Sequence, residues 1–364
     1  MDRRQFLKSA AAASATLALP RVGRAFVPAT SESGWRNFEV TTRVEVLNPS
    51  GPTLVWLPAA QLQQSPYQKT LANTFQAEGG TAELIPYDGF GIVSAKYPAG
   101  ARPVLTLVSK VSTRNYTVDV EAPAHTPKPP EPDEMEECLR GSRVIPVDGI
   151  VKKTADSITQ GLTTDDEKAR AIYEWIVTNT FRNPKTRGCG FGDIRYMLEA
   201  QDLGGKCADL NALYVGLARA AGLPARDVYG VRIAPSQIGY KSLGLSTENA
   251  TKAQHCRAEV YLAKHGWVPV DPADVRKVIL EEPPGNHAMD DEVVQNARTR
   301  LFGSWEMNWM AYNSGHDVPL PGSTKPPVNY FMYPQAETAE GRVDPLDPDK
   351  FKYEITAKEL PAAA

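Results

Sequence analysis

From Phe38 the chain alternates in character: Phe38, Val40, Thr42, Val44 and Val46 are apolar or β-branched, with Glu39, Thr41, Arg43 and Glu45 between them. A period of two predicts a half-buried strand. Asn48-Pro49-Ser50-Gly51-Pro52 supplies a cluster of turn residues, and Thr53 to Leu57 starts a second strand. Alternation returns at Val104 to Val111 and at Tyr116, Val118 and Val120, with glycine breaks at Gly79-Gly80 and Gly89. Residues 36–121 are therefore expected to form a small antiparallel β-sandwich, a structural or substrate-presenting module without a titratable cluster of its own. Pro123, Pro127, Pro129, Pro130 and Pro132, interleaved with charges, predict a stiff extended linker over 122–137.

The period then becomes helical. Thr164-Asp165-Asp166-Glu167 reads as a capping box, followed by Ala171, Ile172, Trp175 and Ile176 on one helix face. A second helix is expected from about Cys207, carrying Leu210, Leu213, Tyr214, Leu217 and Ala221 at spacings of three and four. Gly222 is its natural stop, and Pro224 follows where no helix continues. Strands are predicted at Asp227 to Ile233, His255 to Leu262 and Trp267 to Val270, the last two joined by a tight Lys264-His265-Gly266 turn. Helices followed by an antiparallel sheet make residues 138–275 an α+β unit. Residues 276–364, helical at Val293 to Phe302 and strand-like at Phe351 to Ile355, are expected to complete the fold or wall a cleft.

Composition narrows the function. With 364 residues, 42% of them hydrophobic, the chain can bury real cores and is neither a disordered tail nor a disulfide-stapled miniprotein. Forty basic against 43 acidic residues leave no cationic footprint for nucleic acid. Four Cys and five His limit metal or nucleophile chemistry to one small site. The N-terminus adds an address. Arg3-Arg4-Gln5-Phe6-Leu7-Lys8 and the apolar run Ser9 to Leu19 resemble a twin-arginine export signal over residues 1–25, with Asp2 where Ser or Thr is commoner. The run of eleven residues falls short of the roughly twenty that a spanning helix needs. Small residues Gly23 and Ala25 predict cleavage before Phe26, which removes five basic residues and one acidic one and moves the formal charge from -3 to -7. No later segment is expected to be an integral membrane span, so a periplasmic or secreted protein is predicted.

The candidate chemistry gathers on three residues. Gly204-Gly205-Lys206-Cys207 places a thiol on the first turn of an amphipathic helix, where unpaired N–H groups and the helix dipole favour thiolate. His255 opens one strand and Asp271 closes the strand after the hairpin, so pairing brings a base and its orienting carboxylate together. On spacing alone, a lone Cys at a helix start is more often a packing residue. Cys138, Cys189 and Cys256 could supply one structural disulfide or simply pack. A zinc site from Cys189, Cys207, His255 and Cys256 lacks ligand-pair spacing, so no metal and no cofactor are expected. The default for His125, His265 and His287 is solvated surface, and for His316-Asp317 a turn.

Four stretches carry a resemblance: Gly205-Lys206-Cys207-Ala208-Asp209-Leu210; Leu217 through Gly222-Leu223-Pro224-Ala225-Arg226; His255 through Glu259-Val260-Tyr261-Leu262; and Gly266-Trp267-Val268-Pro269-Val270-Asp271-Pro272. Together they resemble the core of the transglutaminase-like superfamily, over roughly residues 150 to 275. The resemblance implies a papain-like α+β fold, with Cys207 as nucleophile, His255 as base and acid, and Asp271 as orienter. It implies acyl transfer through a thioester on Cys207: a peptidase or amidase if water resolves it, a cross-linking transglutaminase if an amine does. Most bacterial relatives are regarded as proteases, so the resemblance leans to hydrolysis of a protein or peptide substrate. A non-catalytic peptide-binding protein on the same fold is the alternative class. The Cys207 N–H would contribute to the oxyanion hole, with Gln201 and Trp175 as weaker candidate donors whose default readings are a polar loop residue and a core residue. One departure stands out: where many members have Ala-Trp after the histidine, this chain has Cys256-Arg257. The paired C-x-x-C motifs of the family's zinc-bearing glycan amidases are missing, and oligomeric state is open.

Overall fold

Eleven consecutive residues that alternate in burial, Arg36–Val46, form strand β1, and its partners come from both ends of the chain. The structure, a computed structural model, describes residues 34–123, 127 and 129–361; the export signal, Phe26 and His125 lie outside the described residues. After β1 come β2 (Thr53–Pro58), β3 (Gln68–Glu78), β4 (Thr81–Tyr87), β5 (Phe90–Tyr97), β6 (Val104–Thr113) and the two-residue β7 (Tyr116–Thr117). The expected strand through Val120 thus stops early. The stretch expected as an extended linker contains α1 (Pro132–Glu137), with Pro132 at the first helical position, where its missing N–H costs nothing.

The helical part comprises α2 (Gly149–Ile158), α3 (Asp165–Asn179), β8 (Phe181–Arg182), α4 (Ile194–Glu199), β9 (Gly204–Gly205) and α5 (Cys207–Ala220). Strands β10 (Ala225–Arg232), β11 (Gln254–Leu262) and β12 (Gly266–Val270) follow, then α6 (Pro272–Glu281), α7 (Glu292–Arg300), β13 (Ser304–Trp305), β14 (Trp309–Asn313), β15 (His316–Val318), β16 (Val328–Tyr330), β17 (Gln335–Thr338), β18 (Gly341–Val343) and β19 (Phe351–Leu360). The capping box forms: the Glu167 N–H donates to Thr164 Oγ1 at 3.2 Å, and the Thr164 N–H donates to Glu167 Oε2 at 3.0 Å. Every residue of α5 is buried, as expected of a helix apolar on nearly all sides. It stops where Gly222 adopts φ 85°, with Gly222 N–H on Arg219 O and Leu223 N–H on Ala218 O at 2.9 Å each. That pair of bonds is the Schellman arrangement, and glycine adopts its left-handed residue without strain.

The sheets do not respect the boundaries expected at 121 and 275. One four-stranded sheet runs β19-β1-β6-β3, and a five-stranded sheet runs β18-β17-β2-β5-β4. The C-terminal strands therefore cover edges that β1 and β2 would otherwise leave open, from Asn37↔Leu360 to Val46↔Phe351 in the first case. A third sheet runs β12-β11-β10-β14, so the last ninety or so residues also supply an edge to the helical part. The described residues from Gly34 onward accordingly form one compact unit. On β11 the side chains alternate: Cys256, Ala258, Val260 and Leu262 join the core cluster that includes α5, while Arg257 points to the other face over the Trp309 ring.

Candidate active site

Cys207 occupies the first position of α5, where backbone N–H groups have no intrahelical acceptor and the helix dipole favours an anion. Asp209 fixes that start. Its carboxylate accepts the Lys206 N–H at 3.0 Å and the Phe191 and Gly192 N–H groups at 2.9 Å each. A Cβ on Gly205 would lie 2.5 Å from Asp209 Cβ, and one on Gly190 would lie 1.9 Å from Asp209 Oδ2. The glycine before the thiol is thus demanded by a buried carboxylate. Gly205→Ala is expected to cost roughly 1–3 kcal/mol by overpacking, read as a lower urea midpoint; a midpoint equal to that of the parent would show that Asp209 moves aside freely.

The candidate base, His255, is placed by the hairpin. Ala258 pairs with Val270, so Asp271 lies one step further along, towards His255. His255 Nε2 stands 2.7 Å from Asp271 Oδ2, with 4% and 0% of the two residues exposed. With Nε2 committed to the carboxylate, Nδ1 is the nitrogen left for the thiol. Trp309 Nε1–H donates to the His255 carbonyl at 2.9 Å and holds that end of the strand. Asp271 also caps α6, its Oδ1 accepting the Asp274 N–H at 3.1 Å.

A second carboxylate adjoins the pair. Asp274 Oδ1 is 3.5 Å from His255 Nε2, and the Arg232 guanidinium grips both Asp274 oxygens at 2.6 and 2.8 Å. Burial opposes charge on Asp274, but Arg232 prevails and holds its pKa well below the usual carboxylate range. Burial and Arg232 also oppose a charged His255; Asp274 and Asp271 together outweigh them and raise its pKa above the ordinary histidine value. Burial, then Asp274, pushes the Asp271 pKa upward. His255, Asp271 and Asp274 have ligand atoms close enough for a metal ion. Yet Arg232 occupies Asp274, and Arg257 Nε lies 3.7 Å from Asp271 Oδ2, so guanidinium groups already balance these carboxylates.

Three thiols meet here. The Cys189 and Cys256 S–H groups, the former first, lower the Cys207 pKa well below the usual thiol value; burial opposes them, and His255 adds to the lowering. Cys189 is pushed upward by the Cys207 sulfur and then by burial, and Cys256 by burial and then by Cys207. Of the three sulfurs, Cys207 is thus the one whose ionisation its surroundings favour. Of the two readings left open for the other cysteines, the disulfide is not formed: all four cysteines are free and buried. Two of its candidate members face Cys207, and Cys138 sits by Arg219 and Arg226 near the opposite end of α5.

Residues 152–272 match the transglutaminase-like superfamily. The chain carries a transglutaminase-like core. Residues 1–20 match the signal sequence of the twin-arginine translocation pathway, so the protein is exported, and no helix among the described residues is long and apolar enough to cross a membrane. An uncharacterized protein of Haemophilus influenzae is 40% identical over 236 residues, 62% of this chain and 63% of that one. The match thus spans less than two thirds of that relative. A crystal structure from Cytophaga hutchinsonii described as a "Putative Cysteine Protease" shares the fold, with a TM-score of 0.56 at 16% identity over 91% of this chain and 93% of that one.

Within the transglutaminase-like core, Arg257 lies among aromatic rings: the guanidinium is 4.8 Å from the Trp309 ring centroid and 5.5 Å from that of Trp305. Burial and Arg232 lower its pKa to about 10. Gln201 is exposed, in a left-handed conformation, and Trp175 is half-buried against the main core. Two histidines differ from expectation. His265 is buried, with Nε2 3.7 Å from Asp166 Oδ2, and His287 uses both ring nitrogens, 3.1 Å from Asp291 Oδ2 and 2.9 Å from the Glu282 carbonyl. Tertiary packing, invisible in a turn motif, buries His265, whereas His287 is held half-buried by partners within five residues of it. His316 opens strand β15 where a turn was expected, and lies 3.4 Å from the buried Asp227. Sequence reasoning missed Asn211, Arg232 and Asp274; a polar residue interrupting an apolar helix or strand was the available signal.

Proposed function

We propose that the protein is an exported cysteine-dependent acyl-transfer enzyme that cleaves amide bonds. The observation that carries this reading is the buried His255–Asp271 contact of 2.7 Å beside a helix-start thiol whose pKa is lowered. Cys207 attacks the amide carbonyl as thiolate, forming a tetrahedral intermediate whose oxygen faces the Cys207 N–H. His255, charged and held by Asp271, gives its proton to the leaving amine, and the intermediate collapses to a thioester on Cys207. The neutral ring then takes a proton from water, which attacks the thioester and frees the acid and the thiolate.

Iodoacetamide provides the test. Near pH 6 the Cys207 thiol is expected to alkylate at least about tenfold faster than an ordinary thiol, and His255→Ala to remove that advantage. Alkylation at an ordinary rate would instead favour a binding protein built on this fold. Incubation of the acyl-enzyme with a peptide substrate and a free amine separates the two outcomes of acyl transfer: acid product marks hydrolysis, and amide product marks cross-linking.

A further inference from the structure

Asn211 is wholly buried in the middle of α5, between the charged residues Asp209 and Arg219 near its two ends, and both side-chain N–H hydrogens that it can donate are used. It lies four residues after Cys207, one turn along the same face of α5. Its Nδ2 donates to the carbonyl of Cys256, the residue after His255, at 2.8 Å and to Asp271 Oδ1 at 3.2 Å. Its Oδ1 accepts the Ala273 N–H at 3.4 Å. One amide thus joins the helix that carries the thiol, the strand that carries the imidazole and the turn that carries the carboxylate.

We propose that Asn211 is a positioning residue for the His255–Asp271 pair: it occupies one carboxylate oxygen so that the other faces the imidazole, and it ties that pair to the helix of Cys207. The inference rests on the reading of Cys207, His255 and Asp271 as the reacting set and extends it to a fourth side chain. Asp271 has two oxygens, and only Oδ2 can serve His255 in the observed geometry. Oδ1 is held by the Asn211 amide and the Asp274 N–H. Arg257, at 3.7 Å from Oδ2, is too distant to fix the rotation by itself. An aliphatic side chain would fill the same space without burying a polar group, so the amide is retained for what it bonds.

Asn211→Leu fills the same space and loses both donors without adding a charge beside Asp271. The pH dependence of Cys207 alkylation in the full-length protein is expected to move upward by at least one pH unit, with the rate at pH 5.5 falling at least tenfold and largely recovering at pH 9. A purely structural role would change unfolding and leave that inflection in place, so a folded Asn211→Leu variant with the parental inflection overturns the proposal. A second measurement needs no variant. In the parent protein the Asn211 side-chain amide resonances are expected to shift with the titration of the His255 ring, and resonances indifferent to that titration would also overturn it. The ring titrates whether or not the protein turns over an amide, so failure here is distinct from failure of the proposed activity.

Discussion

Replacing Cys207 by serine is expected to abolish amide cleavage, lowering kcat/KM by roughly 10⁴-fold or more. The substitution changes one atom in a site that is 4% exposed, so the fold should persist. The chemistry does not. A serine hydroxyl is far harder to ionise than this thiol, whose neighbours Cys189, Cys256 and His255 lower its pKa well below the usual value. The same neighbours set the pH profile of the parent enzyme. Thiolate is present above the lowered Cys207 pKa, and imidazolium persists up to the raised His255 pKa. The charge-separated pair is thus the main form between the two, and kcat/KM should rise with the first ionisation and fall with the second. A bell centred between them, together with a thioester caught by mass spectrometry in the parent and missing in Cys207→Ser, is the expected result. Equal turnover by the serine variant would remove Cys207 from the mechanism.

Arg232→Met is expected to be the most destabilising of the substitutions considered, by about 3–5 kcal/mol. Side chains of Arg232 and Asp274 are 4% and 2% exposed, and the guanidinium also donates to the Leu243 carbonyl at 2.6 Å. Its removal leaves the Asp274 carboxylate unbalanced beside Asp271, another buried acid. Neutralising the orphan should recover much of the loss: Arg232→Met with Asp274→Asn is expected to unfold at a higher urea concentration than Arg232→Met alone. A single variant within about 1 kcal/mol of the parent, or a double variant no better than the single, would mean that the pair contributes little. Activity should suffer beyond stability, because an unpaired Asp274 competes with Asp271 for the His255 ring 3.5 Å away.

Both predictions depend on partners that differ in how visible they were. Cys207 could be read from its neighbourhood, because a helix start is announced by the apolar spacing that follows it and its stop by Gly222. His255 and Asp271 could be paired through a hairpin whose turn and alternation lie within twenty residues. Arg232 and Asp274 are 42 residues apart, and Asn211 and Asp271 are 60 apart. Nothing in strand or helix periodicity links residues at those distances.

The edges of the sheets show the same limit at a larger scale. Alternation predicted β1, yet its partner β19 begins more than three hundred residues later, and sequence spacing carries no preference between one apolar strand and another as a neighbour. The sequence by itself determined several of the local elements, the cap at Thr164 and the stop at Gly222, the export address and the three residue types of the candidate site. These follow from short-range rules: hydrogen bonding within four residues, side-chain period, and the dipole at a helix start. Tertiary structure alone decided that Cys189 and Cys256 lie against Cys207, that Arg232 neutralises Asp274, and that Asn211 turns Asp271 towards His255. Burial is the physical reason. Removing these groups from water makes each unmet charge or hydrogen bond costly, so the fold must supply a partner from wherever in the chain one can be brought.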